Sequence, residues 1–206
     1  RPYQIAAIQA VEAGIEAGQR AMLLAMATGT GKTKTCIVLL YRLLKAQRFK
    51  RVLFLVDRSA LGEQASDDFH ETRMESLQSF ADTFGIKTPK NSSADLATSV
   101  HIATVQSMVK RLFFTSEGID APSVDQFDCI VVDECHRGYL LDREMDEVEL
   151  SFRSEDDYIS KYRRVLDYFD AVKIGLTATP ALHTSTIFGA PIFNYGYREA
   201  VIDGYL

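Results

Sequence analysis

Apolar residues recur at spacings of three and four along the first stretch, where Ile5, Ile8, Val11 and Ile15 share one face and Gly18 follows. The pattern predicts an amphipathic helix from Tyr3 to Ala17. The next apolar run, Arg20 to Met26, is too short for a helix and leads into Thr28-Gly29-Thr30-Gly31, so it predicts a buried strand entering a glycine-rich turn. A second helix is predicted from Lys32 to Ala46. Val52 to Val56, β-branched and aromatic, predicts a strand, and the polar stretch Ser59 to His70 the return helix of a βαβ unit. The alternation continues with strands at Ser99 to Ala103, Cys129 to Asp133 and Val172 to Leu176. Helices are predicted at Val105 to Leu112 and Tyr158 to Phe169.

Short apolar runs alternating with helical patterns imply a parallel sheet covered on both faces in one doubly wound α/β domain. Two stretches break the rhythm. Thr83 to Thr98 carries Pro89 and an Asn91-Ser92-Ser93 cluster, and Asp142 to Asp157 is acidic; both are expected to be surface excursions without regular structure.

Composition narrows the class. The 206 residues are 47% hydrophobic and 25% charged, which suits a globular chain and excludes collagen-like or disordered sequence. No apolar stretch approaches the roughly 20 residues of a membrane span. Cys36, Cys129 and Cys135 form an odd set with no CxxC pair or Cys/His ligand spacing, so neither a disulfide framework nor a zinc site is expected, and a cytoplasmic setting is. The net charge is -5, but Asp142 to Asp157 alone contributes eight acidic residues against Arg143 and Arg153, leaving the remainder near +1. Bulk charge therefore does not exclude nucleic acid. The basic cluster Lys45, Arg48, Lys50 and Arg51 reads as a solvated face before it reads as a DNA site.

The chemistry concentrates in Met26-Ala27-Thr28-Gly29-Thr30-Gly31-Lys32-Thr33, set between a predicted strand and a predicted helix. There, consecutive backbone N–H groups and a helix N-terminus form a nest for polyphosphate. Gly29 and Gly31 let the backbone close around an anion, Lys32 supplies a cation to the β- and γ-phosphates, and Thr33 offers a hydroxyl to Mg²⁺. Met26 stands where the strict phosphate-loop pattern has glycine. At the end of a later apolar strand, Asp133 and Glu134 supply the complement. Asp133 is placed to hold the Mg²⁺ water shell and Glu134 to polarise an attacking water.

These motifs carry a resemblance. Asp133-Glu134-Cys135-His136 resembles the DEAD/DEAH-type motif II of superfamily 2 helicases, and Leu176-Thr177-Ala178-Thr179-Pro180 resembles their motif III. Arg1-Pro2-Tyr3-Gln4 is similar to the adenine-reading Q motif. Phe54 to Arg58 and Thr104 to Ser107 resemble motifs Ia and Ib, and all five stand in the family's order. Three further stretches, Asp133 to Tyr139, Tyr162 to Asp170 and Tyr197 to Leu206, are similar to the motor (R) subunit of type I restriction-modification enzymes.

The resemblance implies a RecA-like P-loop NTPase domain, the first motor lobe of an ATP-dependent double-stranded DNA translocase that uses ATP and Mg²⁺. It implies methylation and specificity subunits as partners, and a second lobe supplying arginine fingers across the cleft; the nuclease domain and that second lobe are expected to lie outside these residues. By the same resemblance Gln4 reads adenine, Thr177 and Thr179 couple nucleotide state to DNA, and His136 bonds across motifs II and III. Arg58, Ser59, Thr104 and Gln106 either track a nucleic-acid backbone or are solvated surface. Two alternatives stay open. Another superfamily 2 helicase acting on DNA or RNA would differ in which nucleic acid stimulates it, whereas a nucleotide-gated interaction module would show no nucleic-acid dependence.

Overall fold

The computed structural model describes residues 1–56, 59–73, 78–87, 98–114, 121–135, 155–180 and 182–206. Along the chain run α1 (Pro2–Glu16), β1 (Ala21–Met26), α2 (Lys32–Lys45), β2 (Val52–Val56), α3 (Ser59–Glu71), α4 (Phe80–Thr83), β3 (Ile86–Lys87), β4 (Val100–Thr104), α5 (Val105–Phe113) and β5 (Cys129–Val132). They are followed by α6 (Glu155–Tyr168), β6 (Val172–Thr177), α7 (Leu182–Phe188), β7 (Pro191–Tyr195) and α8 (Tyr197–Ile202). Every helix and strand predicted from periodicity is present within a few residues of its expected ends.

The strands form one seven-stranded sheet, ordered β3-β4-β2-β5-β6-β1-β7. All its pairings are parallel. A parallel sheet needs cover on both faces, and strand alternation supplies it. Met22, Leu24, Met26, Phe54 and Val56 face a layer containing α1 and α2, together with Phe69 and Phe80. Leu23, Leu53, Leu55, Ile130 and Val132 face the opposite layer, where α5 and α6 contribute Met108, Val109, Tyr162, Val165 and Leu166. That is why β2 reads as an unbroken apolar run, with all five of its residues buried.

The expectation of an irregular Thr83 to Thr98 is corrected at one point. Ile86 and Lys87 pair in parallel with Val100 and His101 as a short edge strand. Residues 88–97 lie outside the described residues, as do 136–154 of the acidic region; its last part, Glu155 to Asp157, opens α6. β7 and α8 were not predicted: β7 starts at a proline and is only partly buried, and α8 is six residues long, too short for a helical period to register. Arg51, from the basic cluster, donates to the carbonyls of Gln126 and Asp125 and so fastens the approach to β5. The three cysteines are buried free thiols, and burial pushes their pKa values up. Among the described residues no helix is long and apolar enough to cross a membrane.

Candidate nucleotide site

Three neighbouring strands, β5, β6 and β1, deliver the predicted motifs side by side at their C-terminal ends. Asp133 and Glu134 follow β5, Thr177 ends β6 with Thr179 just beyond it, and the glycine-rich loop follows β1. This is the edge of an open parallel sheet at which ligands bind.

The loop has the backbone a phosphate nest requires. Gly29 and Gly31 adopt φ of +84° and +81°, in the left-handed region that glycine enters without a Cβ clash. A Cβ on Gly31 would stand 3.0 Å from Gln4 Nε2, and one on Gly29 2.9 Å from Leu206 Cδ2; both are movable side-chain ends, so it is the positive φ that reserves these positions for glycine. Thr30 is fully buried; its hydroxyl donates to the Ala27 carbonyl at 2.6 Å and folds the loop on itself. Thr28 is exposed at the rim. No side chain caps α2, whose N-cap is Gly31, so the N–H groups of its first turn and the positive end of its dipole are presented to the loop.

Two contacts join this loop to the end of β5. Lys32 Nζ lies 3.3 Å from Glu134 Oε1, with Lys32 only 7% exposed and Glu134 21%. Thr33 Oγ1 donates to Asp133 Oδ2 at 3.2 Å. Burial pushes the Asp133 carboxyl above the usual range and neighbouring Glu134 adds to the rise, while its bonds from the Glu134 N–H and Thr33 act in the other direction. Glu134 has φ of +47°, which turns the chain sharply where strand gives way to loop.

The donor set fits Mg²⁺: a hydroxyl and a carboxylate oxygen face each other, and no cluster of three or more His, Cys, Asp or Glu occurs among the described residues. A magnesium ion that keeps most of its shell as water and phosphate oxygen needs little more from the protein. A cleft of about 140 Å³ opens beside them, lined by Thr33, Asp133 and Glu134 and by Leu61, Gln64 and Asp68 of α3. Sequence reasoning missed the α3 residues, which carry no local motif.

Gln4 sits beside the loop, its amide donating to Thr35 Oγ1 at 3.0 Å and approaching the Gly31 carbonyl at 3.5 Å. Thr177 is buried; its hydroxyl donates to the Thr179 carbonyl and accepts the Thr179 N–H, both at 3.1 Å. The Cys135 N–H donates to the Leu176 carbonyl at 2.9 Å, so motifs II and III are joined through backbone. Arg58 and His136 lie outside the described residues.

Of the other nucleic-acid candidates, Ser59 opens α3 and Gln106 is half-buried in the first turn of α5. Thr104 is not solvated surface: it is buried, and its hydroxyl accepts the Ser107 N–H at 3.1 Å, so it caps α5. The signal was present in the sequence as a threonine directly before an apolar helical pattern.

Known proteins resemble this chain in sequence and in fold. The family model described as "Type III restriction enzyme, res subunit" matches residues 1–182. The endonuclease subunit of the type I restriction enzyme EcoKI from Escherichia coli K12 is 56% identical over the whole chain, which spans 17% of that relative's length. A fragment structure assigned to the HsdR subunit of a type I restriction enzyme from Vibrio vulnificus YJ016 is 27% identical with a TM-score of 0.64, over 99% of this chain and 32% of that one. The Type ISP restriction-modification enzyme LlaBIII, solved bound to DNA, shares the fold with a TM-score of 0.66 at 20% identity, over 99% of this chain and 16% of that one. The chain thus belongs to the family of restriction-enzyme res subunits, and along its whole length it is similar to part of a type I endonuclease subunit.

Proposed function

We propose that this chain is the ATP-binding lobe of a double-stranded DNA translocase in a type I restriction complex, moving DNA before cleavage. The observation that carries the reading is the double contact between loop and β5, Lys32 with Glu134 and Thr33 with Asp133. It sets a phosphate-binding cation, a general base and a metal-binding pair within one cleft.

In this reading the backbone of Thr28 to Thr33 wraps the phosphates, and Lys32 leaves Glu134 for the β- and γ-oxygens. Glu134, released from its partner, accepts a hydrogen bond from water and orients it in line with the γ-phosphorus. Thr33 and Asp133 would hold Mg²⁺, which when bound neutralises charge developing on the phosphate oxygens. Gln4, whose amide reaches Thr35 and the Gly31 carbonyl, has the paired donor and acceptor to read the adenine edge. Thr177 and Thr179, between the two halves of the site, pass its state toward DNA held by Arg58, Ser59 and Gln106, with His136 linking the motifs.

An arginine from a second lobe completes the charge stabilisation, typically worth about 10³ to 10⁵ in rate, so this lobe alone is expected to bind ATP and hydrolyse it little. Methylation and specificity subunits supply site recognition. The test is calorimetry of Mg²⁺-ATP binding to the full-length protein, natural and Lys32→Ala, with and without duplex DNA or RNA. Loss of binding in Lys32→Ala and a shift in affinity with duplex DNA support the reading. Unaltered binding in the folded variant removes the assigned phosphate site, and a response to RNA alone favours an RNA helicase.

A further inference from the structure

Residues 191–206 lie outside the loop and the Asp-Glu pair, yet they hold the loop at several points. The Ala27 N–H donates to the Tyr195 carbonyl at 2.9 Å, fixing the loop where it leaves β1. The Tyr195 ring stacks on Tyr3 with centroids 4.0 Å apart and planes 7° from parallel, and Tyr205 meets Tyr3 edge-on at 5.2 Å. Tyr195 in turn donates its hydroxyl to Asp203 at 2.9 Å, which ties the stack to the end of α8. Leu206 lies against the tip of the loop at Gly29.

The link between this cluster and the loop is the Tyr3 hydroxyl. It donates to the Thr30 carbonyl at 2.7 Å and accepts from Arg1 Nη1 at 3.1 Å, while the Arg1 guanidinium lies 4.7 Å over the Tyr205 ring. A nest that turns successive N–H groups toward an anion turns its carbonyls outward, where they need partners of their own. Tyr3 partners one of them beneath the buried Thr30. Stacking pins the ring on which that hydroxyl sits, so loop geometry and the docking of 191–206 depend on the same side chain.

We infer that Tyr3 is a positioning residue for the phosphate loop and that, through its stack with Tyr195 and Tyr205, nucleotide occupancy is coupled to the docking of α8. The inference rests on the reading that the loop binds nucleotide. Coupling of this kind is reciprocal: whatever loosens α8 weakens nucleotide binding, and nucleotide tightens α8.

The test uses the full-length protein and Mg²⁺-ADP, with affinity measured by calorimetry and amide exchange followed over 197–206. ADP is expected to slow exchange there. Tyr3→Phe keeps the ring and removes the hydroxyl; it is expected to weaken ADP binding about 2- to 10-fold, as for one lost hydrogen bond, and to abolish most of the ADP-dependent slowing. Tyr205→Ala is expected to weaken ADP binding as well. A purely structural part for Tyr3 would lower the melting temperature while leaving the ADP-dependent difference in exchange intact, and that result overturns the inference. Lys32→Ala separates the two levels. If it abolishes ADP binding while Tyr3→Phe changes neither affinity nor exchange, the coupling is wrong and the nucleotide site stands; if it binds ADP normally, both fall.

Discussion

Lys32 and Glu134 face each other across 3.3 Å in a largely buried cleft, so the group expected to bind phosphate is held by the group expected to activate water. Nucleotide bound as proposed would part them. Glu134→Gln leaves the shape but removes the charge that competes for Lys32. If the proposed site binds ATP, affinity should rise about 3- to 10-fold, as for roughly 1 kcal/mol of lost competition, while hydrolysis by the full-length protein falls about 10²- to 10⁴-fold. Calorimetry with single-turnover kinetics reads both, and affinity that falls with rate would contradict the arrangement.

Asp133 carries an electrostatic cost at its buried position. Its pKa is raised chiefly by burial, so the carboxylate form is disfavoured in the ligand-free fold. A raised folded value means that stability from the protonated form is present below the unfolded pKa of about 3.9 and is lost as pH rises through the folded value. Asp133→Asn should therefore melt at the higher temperature without Mg²⁺ at neutral pH, with the gap closing toward pH 4. The same variant should lose Mg²⁺-dependent nucleotide binding. Melting curves across pH that showed no gap would contradict the cause assigned to the shift.

Gly175 stands where β6 meets the motif II turn. A Cβ there would lie 3.0 Å from the Phe188 ring and 3.1 Å from Cys135 Sγ. Gly175→Ala is expected to cost about 1 to 3 kcal/mol through overpacking, measured by denaturant unfolding. Because Cys135 follows Glu134, turnover should drop as well.

Thr177 is fully buried and closes a turn with Thr179 between the phosphate loop and the Asp-Glu pair. Thr177→Val keeps the shape and leaves the Thr179 N–H without this acceptor, at about 1 to 3 kcal/mol. If the turn couples nucleotide to DNA, the variant should bind ADP normally and lose DNA stimulation of hydrolysis. ATPase assays with and without duplex DNA decide this.

The loop was readable because its chemistry is contiguous: two glycines, a lysine and a threonine in a row, preceded by apolar residues and followed by a helical pattern. β2 and β5 were readable because burial on both faces leaves them continuously apolar. What was not readable depends on distance or brevity. The Tyr3–Tyr195 stack joins opposite ends of the chain, and no spacing in the sequence reports it. β3, two residues long, carries no period, and the cap that Thr104 makes on α5 went unread although a threonine stands directly before a helical pattern.

The strand order also constrains when the site comes into being. β1 has only β6 and β7 as neighbours, although β2, β3, β4 and β5 all lie between them in the chain. A ribosome releasing the chain from its N-terminus thus exposes the apolar β1 and its loop long before any pairing partner for them exists, while β2, β4 and β5 can already assemble with one another. Pairing across such a separation is slow, and the waiting strand is open to misassociation. The Tyr195 carbonyl that holds the Ala27 N–H is made later still, so the loop after β1 gains this backbone anchor only when all the intervening strands have been synthesised.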